Sequence, residues 1–156
     1  MVVGSFLTAL SLALVVISIV LWIALGRLVD VLLVLTPLVL AALFSIATGA
    51  LLGVSLNMAN IIVLPLIFGL GVDNGIHVVK RFRDQVDLSE LMQSSTPRAV
   101  VLSSLTTAGT FAALMLSPHA GTASIGALLT ISIGWLLVCT VVILPLLLGL
   151  AQRSEA

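Results

Sequence analysis

Asp73 and His77 stand four residues apart in a long apolar stretch, Asn60-Ile-Ile-Val-Leu-Pro-Leu-Ile-Phe-Gly-Leu-Gly-Val-Asp73-Asn-Gly-Ile-His77-Val-Val-Lys80. On a helix that spacing puts both side chains on one face, with Gly69 a turn above and Asn74 beside them. A charge at membrane depth costs about 2.5 to 3.5 kcal/mol on insertion scales, so such a residue normally faces a bundle interior or a watered cavity and serves ion or proton movement. A carboxylate and an imidazole so placed can pass a proton between them, and a relay through Asp73, Asn74 and His77 is the chemistry these residues suggest. The plainer reading is that Asp73 hydrogen-bonds His77 or a neighbouring hydroxyl and only pins helix packing. His77 and Asn74 admit the same alternative.

A second polar set, Ser103, Thr106, Thr107 and Thr110, recurs at helical spacing and could complete a polar core around Asp73. Its ordinary reading is interhelical contact, with bonds averaging about 0.6 kcal/mol in membranes. His119 sits beside Pro118 in a turn and reads as a solvated loop residue. Trp22 and Trp135 read as interface or packing aromatics. The one cysteine, Cys139, excludes an internal disulfide and a cysteine metal cluster. Zinc-hydrolase, nucleophile-elbow and phosphate-loop motifs are all missing from the sequence, and no second aspartate makes an aspartyl dyad. The expectation is a protein that is not an enzyme and takes neither cofactor nor metal.

The elements that must hold these residues follow from composition. Of 156 residues 61% are hydrophobic and 8% charged, against roughly a quarter charged in soluble domains. The apolar runs are continuous and about 20 residues or longer, which suits helices crossing a roughly 30 Å hydrocarbon core and not the short strands of a barrel. An all-α integral membrane fold is expected, with spans at about 4–25, 31–56, 61–79, 99–117 and 122–148. Met1 to Gly26 lacks a basic leader and a small-residue cleavage site and reads as a mature helix. Arg27 to Asp30 and Leu56 to Asn60 read as tight turns, and Ser117-Pro118-His119-Ala-Gly121 divides the last two spans.

All six basic residues, Arg27, Lys80, Arg81, Arg83, Arg98 and Arg153, then fall on one side. By the positive-inside rule that side is cytoplasmic, which puts the N-terminus outside and the C-terminus inside. With a net charge of zero and no basic patch, nucleic acid is not an expected partner. The hydrophilic segment 80–98 carries a capping box, Asp87 with Glu90, and an apolar stripe of Leu88, Leu91 and Met92, so an amphipathic helix on the inner membrane surface is expected. Thr96-Pro97 suits the start of the fourth span. Ser45, Gly49 and Gly53 make a small-residue face on the second span. Pro65, Gly69 and Gly71 loosen the third, which is expected to bend near Asp73.

The string Gly-Leu-Gly71-Val-Asp73-Asn-Gly-Ile-His77-Val-Val-Lys-Arg-Phe-Arg83, with Thr96-Pro-Arg-Ala-Val-Val-Leu-Ser-Ser-Leu-Thr106-Thr107-Ala-Gly-Thr-Phe and Ser117-Pro118-His119 after it, resembles the resistance-nodulation-division transporters. Within them it is most similar to the mycobacterial-membrane-protein-large branch and its hopanoid-biosynthesis-associated members, along essentially the whole chain. The resemblance implies the last five helices of one repeat, most readily the C-terminal one, with Asp73 as the relay carboxylate of the repeat's fourth helix and Thr106 and Thr107 on the next. Many members have Tyr directly after the aspartate, where this chain has Asn74.

The implied function is the membrane part of a proton-driven exporter of apolar lipid, such as a hopanoid, in a bacterial inner membrane. The first helix of the repeat and the extracytoplasmic domain would then lie elsewhere, in cis or on a separate chain, leaving a fragment, a truncated frame or one piece of a split transporter. Membrane lipid, the lipid substrate, those missing parts and a second copy are the implied partners. A lipid-binding or regulatory module like a sterol-sensing domain, without pumping, is the competing reading, and a purely structural bundle is a third.

Overall fold

A computed structural model describes residues 2–54, 62–84, 93 and 95–155, and these form helices and turns, with no strand among them. The helices are α1 (Val2–Leu25), α2 (Leu28–Leu51), α3 (Val63–Asp84), α4 (Ser95–Leu114), α5 (Ala120–Val138) and α6 (Leu144–Glu155), with a π-helical turn at Cys139–Ile143 joining the last two. Through that turn α5 and α6 run as one rod. The described residues thus form an all-α bundle of five rods, as the continuous apolar runs dictate. By length and composition α2, α3 and the Ala120–Ala151 rod can each cross a membrane, while α1 contributes the apolar stretch Leu10–Leu25. The expected turn at 56–60 and the amphipathic stripe and capping box of 87–92 lie outside the described residues.

Helix ends fall where local chemistry puts them. Gly26 (φ +71°) stops α1 in a left-handed conformation, its N–H donating to the Trp22 carbonyl at 2.8 Å. Gly53 (φ +74°) does the same for α2: its N–H donates to Ala50 and that of Val54 to Gly49, the paired bonds of a Schellman terminus. Gly53 is therefore a helix stop and not, as the small-residue pattern suggested, a packing position, and the second helix ends short of residue 56. At its other end α3 runs on to Asp84, because Arg81 and Arg83 in its last turn suit the negative end of the helix dipole. Pro65 is the third residue of α3, where its missing N–H has no intrahelical partner to lose. The helix continues unbroken past Asp73. The π turn precedes Pro145, whose ring would crowd the carbonyl of Val141. Wider winding, with Leu144 N–H bonded to Cys139, accommodates it.

Packing is centred on α3, which touches every other helix. Its buried residues, Val63, Leu64, Ile67, Phe68, Gly71, Val72, Gly75, Val78, Val79 and Phe82, recur at helical spacing and define one broad apolar face. Two glycines bring α2 unusually close. A Cβ on Gly75 would stand 2.5 Å from Val34 Cγ1, and one on Gly71 would overlap Leu38 and Leu136. Gly126 plays the same part between α5 and α4, where a Cβ would meet the Phe111 carbonyl oxygen at 2.8 Å and the Met115 nitrogen at 2.9 Å. Trp135 anchors α5 to α2: its ring N–H donates to Thr48 Oγ1 at 2.8 Å, and its ring packs at 4.9 Å from that of Phe44.

Candidate functional site: the polar groove between α3 and α4

Asp73 is the eleventh of the 22 residues of α3, about 16 Å from either end at 1.5 Å per residue. It lies on the face opposite the packed stripe, and with it come Gly69 above, His77 one turn below and then Lys80, Arg81 and Asp84. His77 Nε2 is 3.5 Å from Asp73 Oδ1, an ion-pair distance and longer than a strong hydrogen bond. Both side chains are open within this chain, Asp73 78% and His77 68% exposed. The sequence predicts a bundle interior or a watered cavity, and the structure supplies an open groove. The reason is packing: α4, the helix that could cover this face, is drawn onto α5 at Gly126 and meets α3 only sparsely.

Two connected spaces fill the resulting gap. The wider one, about 450 Å³, runs from Asp73, Asn74 and His77 past Lys80 to Ser95 and Thr96 at the start of α4. The narrower, about 160 Å³, continues inward from Asp73, Asn74 and Ser103 to Gly69, Thr107, Ile133 and Leu136. Asp73, Asn74 and Ser103 belong to both and form the junction.

The hydroxyl set divides. Ser103 and Thr107 line the groove with Asp73, whereas Thr106 and Thr110 are exposed and line neither space. Thr106, Thr107 and Thr110 each donate to carbonyls of their own helix, three or four residues back, at 2.8 to 3.1 Å. Their hydroxyl oxygens remain able to accept a bond. Ser104, which the spacing argument passed over, is buried and lines the inner space. His119 is exposed at the cap of α5. Among the described residues no cluster of His, Cys, Asp and Glu has the makings of a metal site.

Among the described residues the buried carboxylate is Asp30, not Asp73. The sequence reading places Asp30 in a turn. It is instead the third residue of α2, 1% exposed, and Arg83 holds it with two bonds, Nη2 to Oδ1 at 2.6 Å and Nε to Oδ2 at 3.3 Å. Both charges suit the helix ends they occupy, the anion in the first turn of α2 and the cation in the last turn of α3. The pair also shows that the start of α2 and the end of α3 lie at one end of the bundle, so Arg27 and the Lys80 to Arg83 cluster share a side. The available sequence signal was an aspartate followed directly by an unbroken apolar run. Its partner, 53 residues away, was visible only in three dimensions.

No family model matches the chain. It is 43% identical over 154 residues to the hopanoid transporter HpnN of Rhodopseudomonas palustris (strain TIE-1) and 40% identical over 155 residues to that of Burkholderia multivorans, in each case across 99% of this chain. It spans only 18% and 17% of those proteins. A protein of Methanocaldococcus jannaschii, named only as a membrane protein, is 29% identical over 126 residues, 76% of this chain and 32% of that one. By sequence this chain is similar to hopanoid transporters of the resistance-nodulation-division family along nearly its whole length, while matching less than a fifth of theirs, and its all-helical build, with helices long and apolar enough to cross a membrane, agrees with that likeness.

Proposed function

We propose that the chain forms the proton-coupling membrane portion of a lipid exporter of the resistance-nodulation-division type, with Asp73 as the relay carboxylate. The observation that carries the proposal is the position of Asp73: a carboxylate at the midpoint of a membrane-length helix, 3.5 Å from an imidazole, facing Ser103 and Thr107 across a polar groove. Such a residue is retained at a cost of a few kcal/mol and commonly serves ion or proton movement. His77 orients or exchanges with the carboxylate, Asn74 lies at the junction beside it, and the hydroxyl oxygens of α4 can accept from its protonated form. The relatives are named hopanoid transporters, which makes an apolar polycyclic lipid the cargo of this reading.

An open carboxylate at membrane depth needs protein or water over it. The chain covers less than a fifth of its relatives' length, so we assign the covering role to a further membrane unit of the same transporter, with this helix set in a bacterial inner membrane and its basic end in the cytoplasm. A lipid-binding module without pumping has the same helices but no need for titration at Asp73. The test is Asp73→Asn in the assembled transporter, which keeps volume and hydrogen bonding and removes the proton. Proton-driven lipid transport should be lost with folding intact. Wild-type transport by the Asn variant would refute the relay, and lipid binding that survives without any transport in the parent protein would favour the binding module.

A further inference from the structure

The groove at Asp73 is wide on one side of the carboxylate only. Between Asp73 and the basic end of the bundle its walls carry His77, Lys80, Ser95 and Thr96, and its volume of about 450 Å³ would hold on the order of ten waters at roughly 30 Å³ each. Beyond Asp73 the space shrinks to about 160 Å³ and ends on Ile133 and Leu136. The exposed stripe also turns apolar there, at Leu66 on α3 and at Ile62 just before it. From Asp84 to Asp73 is eleven residues, about 16 Å along the helix axis, or about half of a 30 Å hydrocarbon core.

We infer that this groove is a one-sided aqueous vestibule, which brings water from the membrane face bearing Lys80 and Arg81 as far as Asp73 and no further. Its polar wall needs water wherever no protein group bonds it, because a membrane interior offers no hydrogen bonds. The inner space, although Ser104 and Thr107 line it, narrows and closes on Ile133 and Leu136, which interrupts a continuous water chain to the other face. The purpose of the vestibule rests on the relay reading of Asp73, since it sets the face with which that carboxylate exchanges protons. Its existence does not.

The experiment is thiol labelling with a membrane-impermeant thiosulfonate in right-side-out and inverted membrane vesicles containing the whole chain. Cys139 is fully buried, so the parent chain serves as the unlabelled reference. Gln93→Cys and Ala120→Cys mark the two ends. Ala99→Cys and Ser103→Cys probe the groove, and Leu102→Cys, on the apolar patch with Val101 and Leu105, sits at the depth of Ser103 but outside it. Thiosulfonates react with the thiolate, which needs water to form, so both groove cysteines should label at least about tenfold faster than Leu102→Cys. They should do so from the Gln93 side alone. Rates equal to that of Leu102→Cys, reaction from the Ala120 side, or both end markers reacting from one side would each overturn the vestibule. Ala99→Cys, at an exposed position, decides the matter if Ser103→Cys does not fold. The two readings fail separately: transport that persists in Asp73→Asn removes the relay and leaves the labelling pattern standing, whereas unlabelled groove cysteines remove the vestibule whatever Asp73→Asn does.

Discussion

Cutting the Asp30–Arg83 pair from its two sides should have unequal effects. The Asp30 side chain is 2% exposed and Arg83 30%. Arg83→Met removes the partially hydrated cation and strands a carboxylate that water hardly reaches. Breaking a buried pair in this way costs about 3 to 5 kcal/mol, and the lower end applies because the space left by a partly exposed guanidinium can admit water. Asp30→Leu removes this carboxylate from an arginine whose long stem lets its head move toward solvent, and the loss is then that of charged hydrogen bonds, about 1.5 to 3 kcal/mol. The double variant Asp30→Leu with Arg83→Met removes both charges of this pair and should lie within about 1 kcal/mol of the parent or above it. Equilibrium unfolding of the four proteins in mixed micelles measures all three differences and the coupling between the sites. If Arg83→Met were no worse than Asp30→Leu, or the double variant lost the sum of the singles, the burial argument would be wrong.

Glycines on the two faces of α3 should respond oppositely. Gly75→Ala forces a Cβ to within 2.5 Å of Val34 Cγ1 and should cost about 1 to 3 kcal/mol, recovered in part by Val34→Ala. Gly69→Ala meets nothing within 4 Å and should be neutral, or stabilising by up to about 1 kcal/mol; unfolding midpoints of the three variants decide the point. At Gly126 the added methyl meets backbone atoms of α4 that cannot turn aside. Gly126→Ala should therefore part α4 from α5, read as faster proteolysis in the Met115–Ser117 turn, and an unchanged digestion rate would count against the close approach. Trp135→Phe keeps the ring contact with Phe44 but loses the bond to Thr48; stability should fall by only about 0.6 kcal/mol, the membrane average for such bonds.

Much of the architecture is readable from composition and punctuation alone. The helix class follows from apolar runs too long and too continuous for strands, and the breaks at Gly26 and around Pro118 from residues whose backbone needs are local. Gly53 shows the limit of spacing. It stands four residues after Gly49 and eight after Ser45 and so fits a packing face, yet its positive φ makes it a terminus. A periodic pattern cannot say where its helix stops.

At the site, sequence determined the stripe and tertiary structure decided what it faces. The order Gly69, Asp73, His77 and Lys80 on one side of α3 follows from 3.6 residues per turn and holds wherever the helix is put. Whether that side is buried depends on α4, whose lean toward α5 comes from the missing side chain of Gly126 and the backbone it admits, a contact between residues on different helices. The same holds for the hydroxyls: helical spacing groups Ser103, Thr106, Thr107 and Thr110, and only the angle of approach of α4 selects Ser103 and Thr107 for the groove. Asp30 is the extreme case. Its charge, its place at a helix start and the apolar run behind it are all in the sequence, but a buried ion pair is a relation between two chain positions 53 residues apart, and it exists because α2 and α3 interlock at Gly71 and Gly75 in the one register that brings Arg83 to it.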